Sequence, residues 1–171
     1  AAIWIGALAL ANGAQLAVML ARSRTGMMRQ EERELLEHIL RVEEPARQKR
    51  LLDVMRWRDT AEGEVLIRLG QAEPPLIYVA SGTGVIEHDG KRVGQCGKGD
   101  FLGEMSLVSG QRASAWVIAS EPMRIAVFDR NALSLLSRSS PEIGAALAAA
   151  LNQGLAAKVS RMNRTARAAD E

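Results

Sequence analysis

The sequence is short of the residues on which most enzymes, metalloproteins and disulfide-bonded proteins depend. Its one cysteine, Cys96, excludes an internal disulfide and a cysteine-based metal cluster. The two histidines, His38 and His88, lie far apart in the chain and lack the spacing of metal ligands. No serine–histidine–aspartate arrangement and no pair of carboxylates on one element is visible. We therefore expect no enzyme, no catalytic residue, no bound metal and no cofactor.

The chain also lacks a large excess of charge of either sign. The 22 Lys and Arg residues nearly balance the 20 Asp and Glu residues, which leaves a net charge of +2. Nucleic-acid-binding proteins attract phosphates through a marked excess of positive charge, so we expect no nucleic-acid partner. Hydrophobic residues make up 47% of the 171-residue chain, which is enough for one core. We expect one domain with an appendage.

The first part of the chain has no charged residue over residues 1–21. A run of about 20 apolar residues can cross a bilayer. Asn12 and Gln15 are costly when they face lipid, so we expect neighbouring transmembrane helices beside them. Arg22 follows at once, and by the positive-inside rule it puts the rest of the chain in the cytoplasm. The pattern predicts a membrane helix over residues 1–22; a buried helix of a soluble protein and a signal-like segment remain alternatives.

Short alternating stretches, separated by glycines, follow residue 57. Asp89 and Gly90, between two of these stretches, are a strong signature of a β-hairpin. Many short strands at this spacing indicate a small antiparallel β-roll or barrel. The predicted strands are Glu64–Ile67, Leu76–Ala80, Gly84–Glu87, Arg92–Gln95, Ala113–Ala119 and Met123–Phe128.

Helices are predicted on both sides of the strands. A basic linker over residues 23–30 leads to a helix over residues 31–42 and to a second helix that begins at Pro45. After the strands we predict a helix over Asn131–Ser137 and a long helix with Pro141 at its first position. The sequence therefore predicts an α+β fold. The long helix carries an apolar stripe that could cover the roll or a partner subunit: Ile143, Leu147, Leu151, Leu155 and Val159.

The stretch from Asp100 to Val117 concentrates the binding chemistry. Gly103 permits a sharp bend and a close approach by another molecule, and Gly110 is the usual residue at the end of a helix. Between them, residues 104–109 are long enough for one or two helical turns. A carboxylate in the first helical turn can accept a hydrogen bond from a sugar hydroxyl. An arginine just beyond the helix can pair with a phosphate. The stretch predicts a receptor for a small phosphate-bearing sugar.

These motifs resemble the phosphate-binding cassette of cyclic-nucleotide-binding domains, with Gly-Glu-Met-Ser-Leu followed by Ala-Ser-Ala-Trp-Val. The resemblance covers about residues 46–158. It implies that Glu104 holds the ribose 2′-hydroxyl of a ligand such as cAMP. It also implies that Gly103 and the amides of Met105 and Ser106 approach the phosphate. A structural acid at the start of a helix is the alternative for Glu104.

The sequence departs from that pattern at the arginine that pairs with phosphate. Ala113 occupies its position, and Arg112 lies one residue earlier. Along a strand, a slip of one residue turns a side chain to the opposite face. We therefore expect Arg112 to point away from the ligand, while Ser114 offers a hydroxyl at most. The alternative is that the loop at Gly110 and Gln111 adjusts and lets Arg112 pair with the phosphate, so Arg112, Ala113 and Ser114 stay among the predicted ligand-binding residues.

The order of the parts resembles the Popeye-domain family in its bacterial form, in which membrane helices precede a cyclic-nucleotide-binding-like domain. By that resemblance residues 1–22 are the last of several membrane helices, and the chain, which begins without Met, is a piece of a longer protein. Residues 31–165 form the binding domain and residues 166–171 a tail. The resemblance implies a homo-oligomeric cAMP sensor in the bacterial inner membrane, with its binding domain cytoplasmic. The alternative is a barrel that has lost its ligand and acts as a protein-interaction module.

Overall fold

The computed structural model describes residues 28–169, with side chains described as far as residue 160. The chain divides into two compact units, Ala1–Glu34 and Leu35–Glu171. The predicted membrane helix over residues 1–22 lies outside the described residues. Among the helices that are described, none is both long enough and apolar enough to cross a membrane.

The helix predicted over residues 31–42 is present over Gln30–Ile39, and its winding changes along its length. A short α-helix, α1 (Gln30–Arg33), continues into a π-helical segment over Glu34–Ile39. The wider winding is visible in the backbone, because the amide of Leu40 donates to the carbonyl of Leu35 at 2.8 Å, five residues back. Leu35, Leu36 and Leu40 are all buried as a result. The second helix, α2 (Pro45–Asp53), begins at the predicted proline.

The central part of the chain is a β-roll, as predicted. In the described residues, eight antiparallel strands form two four-stranded sheets, with strand orders β1-β8-β3-β6 and β2-β7-β4-β5. The turn at Asp89 and Gly90 joins β4 to β5, with both residues at positive φ, and confirms the predicted hairpin. The strands are β1 (Met55–Thr60), β2 (Val65–Ile67), β3 (Leu76–Ser81), β4 (Gly84–His88), β5 (Lys91–Cys96), β6 (Phe101–Leu102), β7 (Trp116–Ala119) and β8 (Met123–Phe128).

Three strands differ from the prediction. Strand β6, of two residues, is not among the six predicted strands. Strand β1 was not expected, because Arg56, Arg58 and Asp59 hide its alternation, yet it pairs with β8 along its whole length. The strand expected from Ala113 begins only at Trp116. Before it, the amide of Ala113 donates to the carbonyl of residue 71 at 3.0 Å, so this backbone pairs with the loop before β3 instead.

The core lies between the two sheets, and strand β3 is buried on both faces. Ile77 and Val79 face the cluster between the sheets, and the alternate residues face the other way. There the ring of Tyr78 lies 5.3 Å from that of Phe101, centroid to centroid. The cluster between the sheets consists of Leu66, Ile67, Ile77, Val79, Cys96, Leu102, Val117, Ala119, Met123 and Ile125.

Three helices complete the described fold: α3 (Glu104–Ser109), α4 (Arg130–Ser139) and α5 (Pro141–Ala169). Helix α4 is capped by the Asp129 carboxylate, which accepts from the amide of residue 132 at 2.9 Å. In α5 the predicted apolar stripe is buried only in its first half. Leu151 is 3% exposed, whereas Val159 is 56% exposed, so the roll covers the first half of the stripe only, and cover of the rest by a partner subunit stays a prediction.

Candidate functional site

The cassette is built around a short helix, α3 (Glu104–Ser109), with a glycine in the left-handed conformation at each end. Gly103 has φ 78° and Gly110 has φ 71°. A Cβ on Gly103 would overlap the carbonyl oxygen of Pro75, whereas nothing lies within 4 Å of a Cβ on Gly110. Conformation and space therefore both require glycine at position 103, which brings the start of α3 against the loop before β3.

Glu104, the first residue of α3, is only 5% exposed. Its Oε1 atom lies 2.5 Å from Nζ of Lys158 in helix α5. The same ammonium donates to the carbonyl oxygen of Phe101. A buried carboxylate is costly without a cation or donors, and Lys158 supplies both. Glu104 is thus more than an acid that interacts with the helix dipole, because it joins α3 to α5 across the fold.

Hydrogen bonds of Ser106 and Arg130 connect α3 to the neighbouring loops. Ser106 is buried, and its hydroxyl donates to the carbonyl of Gln111. Arg130 Nη2 donates to the carbonyl of Ser106 at 3.0 Å, and Nη1 donates to that of Pro74 at 3.2 Å. Met105, in contrast, is 61% exposed. Of the residues predicted to approach a phosphate, Gly103 and Ser106 are held inside the fold, and the Met105 side chain faces solvent.

The arginine end of the cassette lies in a different environment. Arg112 is exposed, and its Nη1 atom donates to the carbonyl of Gly70 at 3.0 Å. Ala113 is half-buried and packs against the core between the sheets. Ser114 is exposed, and its carbonyl accepts from Nδ1 of His88 at 2.7 Å. The structure therefore groups Gly103, Glu104 and Ser106, and it ties Arg112 to the loop before β3.

Sequence reasoning missed Lys158 and Arg130. Lys158 stands two helical turns after Leu151, a spacing that puts both residues on one face of α5. Since Leu151 was predicted to face the core, the same periodicity could have placed Lys158 near the roll. The sequence holds no comparable signature for Arg130, whose partners are backbone carbonyls.

The residues gathered around Glu104 have the chemistry of a binding site. A carboxylate has about four lone-pair sites. Glu104 can therefore accept a hydrogen bond from a hydroxyl group in addition to the one from the Lys158 ammonium.

Comparisons with known proteins show which family this part of the chain resembles. Residues 57–140 match the family model described as the cyclic nucleotide-binding domain. A cyclic nucleotide-gated potassium channel of Rhizobium etli is 30% identical over 93 residues, which cover 54% of this chain and 26% of the channel. One from Mesorhizobium japonicum is 29% identical over 99 residues, covering 58% of this chain and 27% of the channel. The chain thus spans about a quarter of the length of these curated relatives.

Among solved structures, a cyclic nucleotide-binding domain from Methylobacillus flagellatus has a similar fold. The TM-score is 0.68 with 24% identity, and the match covers 78% of this chain and 81% of that one. The family match begins in β1, includes α3, and ends after α4. Residues 57–140 therefore match the cyclic nucleotide-binding domain family in sequence, and the antiparallel roll with its flanking helices has the fold of a solved domain of that name.

Proposed function

We propose that this chain is a membrane-anchored sensor of a cyclic nucleotide, with cAMP as the ligand and the binding domain on the cytoplasmic side. The observation that carries the proposal is Glu104, a buried carboxylate that follows Gly103 directly at the start of α3. A sugar hydroxyl is a good donor to such a group. The family match and the channels named for cyclic-nucleotide gating support a role in binding and sensing.

Membrane anchoring rests on the sequence of residues 1–22. The uncharged stretch and the arginines at its end support a spanning helix with a cytoplasmic exit. The names of the channel relatives are compatible with a membrane protein. Within the cyclic-nucleotide-binding proteins, the order of the parts supports membership in the bacterial Popeye-domain group, with neighbouring transmembrane helices and other copies of the chain as partners.

The binding part of the proposal is tested by calorimetric titration of the whole chain, held in detergent, with cAMP and with cGMP. We expect saturable binding, tighter for cAMP. Glu104→Ala should weaken it by about 1.5–3 kcal/mol, the scale of a hydrogen bond to a charged group. The control is Glu64→Ala, which removes a half-buried carboxylate that is paired with Arg58 outside the cassette. If neither nucleotide binds the unmodified chain, the sensor function is wrong.

The anchoring part is tested by thiol labelling in intact cells. Ser134 is exposed on α4, and the native Cys96 is buried, so Ser134→Cys provides one reactive thiol in the described part of the chain. We expect an impermeant reagent to label it only after the membrane is permeabilised. Labelling from outside would reverse the orientation, and recovery of the chain in the aqueous fraction would contradict anchoring.

A second function is favoured by two observations at the cassette. Ala113 stands where the family has its arginine, and Lys158 already occupies Glu104. Both fit a roll that no longer binds nucleotide and acts through protein contacts. The same titration separates the two functions, because an interaction module shows no heat of binding with either nucleotide.

A further inference from the structure

The basic end of the cassette, the segment 110–116, contains a single charged residue, Arg112. Its guanidinium is engaged at the carbonyl of Gly70, and the next residue, Ala113, packs against the core between the sheets. The phosphate of a cyclic nucleotide carries one negative charge, and a site for it needs a cation or backbone amides close by. With Arg112 engaged elsewhere, a cation for this end of the cassette has to come from outside the segment.

His88, the last residue of β4, reaches this segment. Its Nδ1 atom lies 2.7 Å from the carbonyl oxygen of Ser114. Strand β4 pairs with β7 without a register shift, so alternation along β4 puts His88 on the same side of the sheet as Ile86. Ile86 packs against the core between the sheets, as Ala113 does. The His88 side chain, 48% exposed, therefore lies at the open rim of the roll, beside the position at which the family has its arginine.

Both ring nitrogens of His88 face acceptors. The Ser114 carbonyl can only accept, so Nδ1 donates to it. Nε2 lies 3.4 Å from Oδ2 of Asp89, and an ionised carboxylate can also only accept. A neutral imidazole has one N–H group, whereas the imidazolium has two. The positively charged ring is therefore the form that can donate to both neighbours.

The charged groups around His88 lie on three elements and leave a small excess of positive charge. Histidine is the side chain whose charge ordinarily changes between about pH 5 and pH 8. Protonation of His88 therefore adds to this excess in a way that depends on pH. The other charged groups are Glu87 and Asp89 beside it in the chain, Lys91 and Arg92 on β5, and Arg112 two residues before Ser114.

We propose that His88 supplies the positive charge that the basic end of the cassette needs: its imidazolium, held beside Ser114, attracts the phosphate of a bound cyclic nucleotide. The inference deepens the proposed function and rests on it, because it takes the segment 110–116 as the phosphate side of the site. It makes the affinity of the site higher where the ring is protonated and lower where the ring is neutral. The cyclic phosphodiester keeps its one negative charge throughout this range, so the charge of the ligand does not contribute to the change.

Calorimetric titration of the whole chain, held in detergent, with cAMP at about pH 5.5 and about pH 8 tests the charge. We expect an affinity about fivefold higher at the lower pH, a modest gain because water weakens an attraction near the surface. His88→Asn places an amide donor near the position of Nδ1 and removes the charge, so it should bind with the weaker affinity at both pH values. His88→Arg carries a charge at both pH values and should bind tightly at both. The matched control is His38→Asn, at the exposed second histidine of the chain, which should keep the full pH dependence.

Salt distinguishes attraction to the phosphate from a structural role of the ring. Raising the salt concentration from about 0.05 M to about 0.5 M shortens the Debye length, which is about 10 Å at 0.1 M. In the unmodified chain we expect the fivefold ratio of affinities to fall below about twofold. A hydrogen bond that only shapes the segment would leave the ratio unchanged. Urea unfolding at both pH values checks that the unmodified chain and His88→Asn are folded during the titrations.

The outcomes separate this inference from the proposed function. If His88→Asn retains the full pH dependence, or if salt leaves the ratio unchanged, His88 is not the cation and the inference is wrong, while binding of cAMP upholds the proposed function. Equal affinity of the unmodified chain at both pH values contradicts the inference in the same way, as does a loss of pH dependence in His38→Asn. If neither cAMP nor cGMP binds at either pH, the proposed function fails and the inference fails with it.

Discussion

The two ends of the cassette are held in opposite ways. At one end, Glu104 is buried and forms a side-chain pair with Lys158 from a distant helix. At the other end, Arg112 is exposed, and its hydrogen bond goes to a backbone carbonyl of a neighbouring loop. The comparison shows that the acidic part of the family pattern lies where backbone geometry and burial both constrain it. The basic part departs from the pattern where solvent can accommodate the change.

Local geometry explains the difference. The bend at Gly103 is fixed by its positive φ and by the carbonyl of Pro75. The backbone therefore sets the direction in which the next residue, Glu104, begins α3. Ala113 packs against the core, where a small side chain fits. The arginine of the family pattern is long and charged, so at this position it would have to leave the core in another direction. Arg112, one position earlier, lies on the solvent side.

The largest expected effect is at the backbone of the acidic end. Gly103→Ala should lower the free energy of unfolding by about 2–4 kcal/mol, because the positive φ costs about 1–2 kcal/mol and the overlap with Pro75 adds a similar amount. Gly110→Ala is the matched control, with a similar φ but open space around the Cβ, and should cost about 1–2 kcal/mol. Urea denaturation of both variants measures the difference. Equal losses would mean that crowding at Gly103 contributes nothing.

The ion pair at the acidic end comes next. Glu104→Ala leaves the Lys158 ammonium, only 16% exposed, without its carboxylate. We expect a loss of about 2–3 kcal/mol in the free energy of unfolding, at or below the lower range for a broken buried pair because some solvent reaches the lysine. Glu64→Ala breaks a pair whose two side chains are 42% and 36% exposed, so solvent screens it more, and it should cost less than the Glu104 substitution, about 1 kcal/mol. Thermal or urea unfolding that ranks the two variants equally would contradict the buried character of the Glu104 pair.

The basic end is tested by restoring the family pattern. Ala113→Arg should raise the affinity for cAMP about tenfold, since it supplies a charge-assisted pair to the phosphate. Arg112→Ala should change affinity less than about twofold, because this side chain is engaged at Gly70. Titration of both variants, with a check that Ala113→Arg still unfolds cooperatively, gives the answer. A large loss in Arg112→Ala without a gain in Ala113→Arg would show that Arg112 holds the phosphate.

The smallest effect concerns Cys96, which lies in the core beneath the acidic end. Burial, and next the charge of Asp100, raise the pKa of its thiol from 9.0 to about 11, while Lys158 lowers it. A pKa raised in the folded state gives stability that is complete below pH 9 and is lost as pH rises toward 11. We expect Cys96→Ala to remove about 1 kcal/mol of the decline in stability between pH 8 and pH 10. Parallel urea titrations of the two proteins measure it, and equal declines would contradict the raised pKa.

The conformational preferences of single residues and short motifs were enough to predict much of the fold and part of the site. The turn at Asp89 and Gly90 and the proline that opens α5 were predicted correctly, because each depends on the φ preferences of one or two residues. The glycine-bounded helix α3 was predicted for the same reason. Strand β1 was missed because its charged residues obscure the alternation, and only its pairing with β8 defines it.

What the sequence determined by itself is therefore the set of short-range choices: where the backbone bends at Gly103, where α3 begins and ends, and which stretches alternate as strands. The tertiary structure alone decided which groups meet. Lys158 and Glu104 are 54 residues apart, and Arg112 meets Gly70 across 42 residues. Such partners depend on how α5 and the loop before β3 pack on the roll. Packing is set by the summed contacts of the whole core, which no local pattern contains.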